Sequence, residues 1–179
     1  MADLTGKKVA FLLTNGVEQP ELTEPREALQ AAGAETVIVS PAKETLTAMK
    51  SDWHHADSFT VDVPLQEADA AEYDALVLPG GTLNADTLRI TEGAVDFLRA
   101  FLQNDKTVAA ICHAPWLLVQ ADAVRGRRVT SFSSVRRDLE NAGAQWEDSE
   151  VVVDGSLITS RTPDDLEAFN QAILSALAS

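Results

Sequence analysis

The sequence predicts an α/β fold: a mainly parallel sheet covered by helices on both faces. Three observations predict it. Strand-like and helix-like patterns alternate from one end of the chain to the other. The strand runs are apolar almost throughout, as strands buried on both faces must be. The length, 179 residues with 45% apolar side chains, suits one well-buried domain, read here as spanning residues 1–179.

The elements follow in order. "KKVAFLL" (7–13) is a buried-strand run. "TEPREALQAAG" (23–33) has helical spacing, with Leu22, Leu29 and Ala32 on one side and Gly33 as a stop. "AETVIVS" (34–40) is β-branched and bounded by Gly33 and Pro41. The stretch from Lys43 to Asp62 is polar and hairpin-like, with "SFTVDV" (58–63) as a strand. "YDALVLPGG" (73–81) is a strand ending in a proline-glycine corner. "TEGAVDFLRAFLQND" (91–105) is an amphipathic helix capped by Thr91. "TVAAI" (107–111) is a strand and "HAPWLLVQADA" (113–123) a helix. Then come "RRVTSF" (127–132), a helix over 133–143, and a hairpin over 149–161 turning at Asp154-Gly155. A last helix, 162–178, is capped by Thr162 with Pro163 at its first position.

Composition excludes several classes. The formal net charge of −14 would repel nucleic-acid phosphates, so direct nucleic-acid binding is not expected. No apolar stretch approaches the roughly 18–20 residues a membrane span needs. The N-terminus lacks the cleavage-site pattern of a signal peptide. A single cysteine cannot close an internal disulfide, which is compatible with a reducing cytoplasm, the expected location. No His/Cys/carboxylate spacing suggests a metal, and no cofactor is expected.

Ligands of parallel sheets bind beyond the carboxyl ends of the strands. Three such ends carry chemistry: "TNGVEQPE", "PGG" and "CHAP". Cys112 stands where a buried strand turns into a helix, so the helix start favours thiolate and the corner can turn the side chain outward. The sulfur is therefore expected to be ionised and reachable from water at neutrality. The plainer alternative is a small buried hydrophobe. His113 follows at once and can sit beside the sulfur, with an acid on its far ring nitrogen. The Gly81 and His113 amides can form an oxyanion hole. Glu18, just past the first strand, can keep its proton if desolvated and donate it to sulfur. Glu21 and Glu24 read as surface or helix-start acids, and His54 and His55 as exposed hairpin residues.

Taken together, "NGVEQPEL", "YDALVLPGG", "AAICHAPWLL" and "VVVDGSLITSRTPDDL" resemble the ThiJ/PfpI family, over roughly Lys7 to Ala178. The resemblance implies a flavodoxin-like three-layer sandwich of the class I glutamine-amidotransferase type. It implies Cys112 as nucleophile, His113 as its imidazole partner, Glu18 as the buried acid at the sulfur, and oxyanion amides from Gly81 and His113. In PfpI-like members a third triad acid comes from a neighbouring subunit. The matching acid in "GGTLNADTLR" is Asp86, a methylene shorter than the family's glutamate and in a stretch one residue longer than the common pattern. That assembly requires a homodimer or a higher homo-oligomer.

The expected activity is a stress-response, cysteine-dependent hydrolase acting on small reactive carbonyls or their glycated protein adducts, in the manner of a deglycase or glyoxalase. An oxidative-stress sensor or chaperone-like protein using the same thiol is the alternative. An intracellular peptidase of the PfpI type is another, weakened because no long insertion builds a peptide groove. The third class is a structural module in which Cys112 is merely buried.

Overall fold

The computed structural model describes residues 2–178. In chain order the strands are β1 (Lys8–Leu12), β2 (Glu35–Ser40), β3 (Thr45–Lys50), β4 (His54–Thr60), β5 (Val63–Pro64), β6 (Ala75–Leu78), β7 (Thr107–Ile111), β8 (Arg128–Val129), β9 (Gln145–Trp146), β10 (Val151–Asp154) and β11 (Leu157–Ser160). The α-helices are α1 (Gln19–Ala31), α2 (Thr82–Arg89), α3 (Ala94–Gln103), α4 (Pro115–Gln120), α5 (Arg136–Asn141) and α6 (Leu166–Leu177).

Seven strands form one sheet in the order β10-β11-β7-β6-β1-β2-β5. All neighbours in it are parallel except the β10–β11 hairpin at one edge. The expected mainly parallel α/β architecture is what the chain adopts. β1 has β2 on one side and β6 on the other, so the winding direction reverses there and opens a crevice at the strand ends.

Alternation along each strand divides the core in two. Val9 and Phe11 of β1, with Val77 of β6, face Leu22 and Leu29 of α1 and Phe169 and Ile173 of α6. Ala10 and Leu12, with Leu76 and Leu78, face Leu88, Leu98, Phe101 and Leu118 of α2, α3 and α4. These side chains are essentially inaccessible to solvent, which accounts for the unbroken apolar runs in the sequence.

Several boundaries differ from the sequence reading. α1 begins at Gln19 rather than Thr23, with Pro20 in its first turn. Proline there lacks an amide that the helix would leave unpaired anyway. The stretch 82–89, unassigned from sequence, is helix α2. The helix expected from Thr91 starts after Gly93, whose left-handed backbone replaces a side-chain cap. The Thr162 hydroxyl makes no capping bond, and a 3-10 turn over Pro163–Asp165 precedes α6. The run 127–132 is strand only at β8, and the helix over 133–143 reduces to a 3-10 turn and α5. β3 and β4 form a separate antiparallel hairpin lying against the strand ends, with its tip at residues 51–53. No helix among the described residues is long and apolar enough to cross a membrane.

Candidate active site

Cys112 sits directly after β7 with φ +65°, a left-handed backbone that a non-glycine residue adopts at a cost of about 1–2 kcal/mol. Two hydrogen bonds hold it there. The Cys112 amide donates to the Ser160 carbonyl at 3.1 Å, and the Phe132 amide donates to the Cys112 carbonyl at 2.9 Å. Pinned between β11 and the 131–133 loop, the residue sets its sulfur against His113 and the Gly80–Gly81 loop.

Three groups meet the sulfur. His113 Nδ1 lies 3.1 Å away. The Gly81 amide and the Glu21 carboxyl lie beside it and bear on its charge. Glu21 is wholly buried; its Oε2 accepts the Gly80 amide at 2.8 Å, and its Oε1 has no hydrogen-bond partner among the described residues. Burial pushes this carboxyl up to about 8, so Glu21 carries a proton at neutrality and has one to donate to sulfur.

The expectation of an ionised, water-accessible thiol at rest is corrected. Cys112 is 6% exposed, and burial pushes the thiol up, as does the charge of Glu21 whenever that carboxyl is ionised. α4 has six residues and begins at Pro115, three positions beyond the sulfur. A dipole that short and that distant does little against burial.

Two glycines make the crevice possible. A Cβ on Gly80 would lie 2.7 Å from Cys112 Cβ and would collide with the Glu21 carboxylate. Gly81 has φ +90°, and a Cβ there would lie 2.6 Å from the Glu18 amide. The loop that carries them is clamped by Asn84, fully buried on α2. Its amide donates to the carbonyls of Pro79 at 3.0 Å and Gly80 at 2.9 Å, and its oxygen accepts the Thr14 amide at 2.7 Å. Of the two expected oxyanion donors, the Gly81 amide faces the sulfur itself. The His113 amide has no partner among the described residues and stays free for a ligand.

The His113 ring is stacked on Phe132 at 4.7 Å and meets the edge of Trp116 at 5.2 Å. Burial lowers its proton affinity, so it is neutral at neutrality and able to act as a base. Its Nε2 lies 3.4 Å from Thr82 Oγ1 and 3.3 Å from Ser134 Oγ. The Thr82 amide and hydroxyl both donate to Asp52, at 2.8 and 2.9 Å.

Glu18 does not occupy the place the sequence assigned to it. It is the residue before α1, in extended backbone, and its carboxylate turns to the hairpin tip to accept the amides of Ser51 at 2.8 Å and Asp52 at 3.1 Å. Glu21, one helical turn further on, is the acid at the sulfur. Asp86 lies on the outer face of α2, exposed, with no bond to His113 in its own chain. Sequence reasoning also passed over Asp52, Thr82, Asn84 and Ser134. Pro20 was the one local signal: read as the first turn of a helix, it puts Glu21 inside that turn, facing the core. His54 and His55 are exposed on β4, as expected.

Comparison with known proteins places the chain in a family. The family model described as "DJ-1/PfpI family" matches residues 7–176. A Bacillus subtilis protein named "Putative cysteine protease YraA" is 41% identical over 172 residues, covering 96% of this chain and 98% of that one. The structure is similar to that of an Anabaena variabilis protein with DJ-1/ThiJ/PfpI-like and ferritin-like domains, at a TM-score of 0.89 and 39% identity. That match covers 96% of this chain but 48% of the two-domain chain, so this chain spans about half of that relative. Drosophila melanogaster DJ-1beta superposes with a TM-score of 0.86 at 28% identity, over 96% of this chain and 90% of that one. With a strand-end cysteine among glycine amides and a buried acid, and a family match over nearly its whole length, this chain belongs to the DJ-1/PfpI family.

Proposed function

We propose that the chain is a cysteine-dependent hydrolase acting on small reactive carbonyl compounds or their adducts with amines, with Cys112 as nucleophile. One observation carries this reading. The sulfur has a neutral imidazole nitrogen 3.1 Å away to take its proton, while a protonated carboxyl and a backbone amide favour the thiolate that results.

His113 Nδ1 takes the thiol proton as sulfur attacks the carbonyl carbon. A C–S bond forms and the carbonyl π pair moves to oxygen, where the free His113 amide can meet it. The proton on His113 returns to that oxygen, giving a neutral hemithioacetal. With a 2-oxoaldehyde such as methylglyoxal, a proton then shifts from the hemithioacetal carbon to the neighbouring carbonyl carbon and gives a 2-hydroxy thioester. With an acyl substrate the tetrahedral species expels an amine or alcohol, which leaves with the proton. In both cases water then releases the acid from the thioester.

Cys112 and His113 are each 6% exposed, which suits a molecule of a few heavy atoms better than an extended peptide. The peptidase reading, suggested by the name of the Bacillus relative, finds less support here for that reason. We further propose a homodimer that covers the outer face of α2, where Leu83 and Ile90 are 55% and 82% exposed beside Asp86. Such packing would bring Asp86 towards the partner's site, and sedimentation would read the assembly.

The test of the activity is consumption of methylglyoxal, or loss of a glycated-amine signal, by purified protein against Cys112→Ala. Loss of turnover in the variant is expected. Equal turnover by the two chains rejects the reading.

A further inference from the structure

The two hydrogens that Thr82 can donate both go to one carboxylate. Its amide donates to Asp52 Oδ1 and its hydroxyl to Asp52 Oδ2. With the hydroxyl hydrogen spent, Thr82 Oγ1 can face His113 Nε2 only as an acceptor. A hydrogen on Nε2 satisfies that contact, whereas a bare Nε2 would set two lone pairs against each other. Ser134 can turn its hydroxyl either way, so it follows the ring and does not set it. A neutral imidazole carries one ring hydrogen, and with that hydrogen on Nε2 the bare nitrogen is Nδ1, the atom facing Cys112 Sγ.

The hairpin tip is built to hold Asp52 in place. Ser51 and Asp52 both have left-handed backbones, at φ +55° and +59°. The Glu18 carboxylate takes both of their amides, and the Met49 amide ties the hairpin to the Val17 carbonyl at 2.7 Å. Such bonding around an irregular turn places one side chain, and that side chain reaches α2.

We infer that Asp52, acting through Thr82, is a positioning residue that selects the Nε2–H tautomer of His113 and so leaves Nδ1 as the base for Cys112, all within one chain. The catalytic consequence rests on the reading of Cys112 as nucleophile; the tautomer does not. Asp86 of a second copy is then not needed to orient the ring.

The test is the two-bond 15N–1H pattern of His113 in 15N-histidine-labelled protein, assigned by the signal lost in His113→Gln. The wild-type chain is expected to show Nε2–H. In Asp52→Asn the side-chain oxygen keeps the Thr82 amide, but the new NH2 donates to the Thr82 hydroxyl. That hydroxyl then donates to Nε2, and the ring hydrogen moves to Nδ1. Alkylation of Cys112 at pH 7 is expected to fall by about tenfold in this variant. Thr82→Ser keeps the hydroxyl and should match the wild type. Where Asp52→Asn does not fold, Thr82→Val serves: it takes the fixed acceptor from Nε2 without supplying a donor, so a mixed pattern with a lower share of Nε2–H is expected. A wild-type ring with its hydrogen on Nδ1, or variants that keep the wild-type pattern, overturns the inference. So does a switch produced by Asp86→Asn instead, which would put the supporting acid in a second copy. The pattern is read without substrate, so an inactive chain can still uphold the relay and an active one can refute it.

Discussion

Replacing Glu21 with glutamine tests the buried acid without changing its shape. The amide keeps an acceptor for the Gly80 amide and a donor for the sulfur, but it does not titrate. In the native chain the carboxyl is pushed from its ordinary 4.5 up to about 8 by burial. The unfolded chain therefore releases this proton at lower pH than the folded chain does. Below about pH 4.5 both states hold the proton and the residue is neutral towards stability. Between about 4.5 and 8 the folded state holds a proton that the unfolded state has lost, so stability falls as pH rises, by about 1.4 kcal/mol per unit. From pH 5 to pH 8 this accumulates to about 3–4 kcal/mol. Urea unfolding of both chains across that range isolates the effect, because every other titrating group is common to the two. The stability of Glu21→Gln relative to wild type should climb steadily with pH. A difference that stays constant from pH 5 to pH 8 would mean that the carboxyl is solvated or already ionised, and the account of the sulfur's acid would fail.

Three further outcomes are expected. Gly80→Ala should lose about 2–3 kcal/mol in urea unfolding, since the new methyl displaces either Glu21 or Cys112, and Cys112 alkylation should change with it. Asn84→Ala strips partners from the Thr14 amide and the Pro79 and Gly80 carbonyls, so its midpoint should fall by the equivalent of about 3 kcal/mol; a shift below about 0.5 kcal/mol would show that water replaces the clamp. Arg161→Ala leaves the buried Asp165 without its two guanidinium bonds, at 2.9 Å each, and should cost about 2–3 kcal/mol. That loss should persist in 0.5 M salt, because a pair with one buried member is weakly screened.

Much of the scaffold was legible because it depends on local apolarity. Strands buried on both faces must be apolar throughout, so β1, β6 and β7 stand out as runs, and their ends locate the crevice. Cys112, His113 and Gly81 lie at those ends and are adjacent to the runs that announce them. The remainder of the site depends on contacts distant in sequence. Glu21 is buried because Gly80, 59 positions away, has no side chain to exclude it. From sequence, a glutamate between Pro20 and Leu22 is indistinguishable from the acid of an exposed first helical turn. Asp52 lies in a polar hairpin that is as consistent with solvent as with a role, and it reaches Thr82 across 30 positions. Asn84 has the composition of a surface residue, and its burial follows from the three backbone groups it joins.

The proton inventory of the sulfur bears on what the thiol is for. Peroxide and other oxidants react with thiolate, and sensor cysteines are accordingly exposed and low in pKa. Cys112 is the opposite at rest: buried, with its proton retained and a neutral imidazole beside it. Its donors do little for a thiol but a great deal for a thiolate, so their effect appears only once the proton has moved to His113. On the proposed function, that movement is favoured when a carbonyl oxygen arrives to develop charge near the free His113 amide. An arrangement that withholds the anion until an electrophile is bound suits a nucleophile better than a sensor.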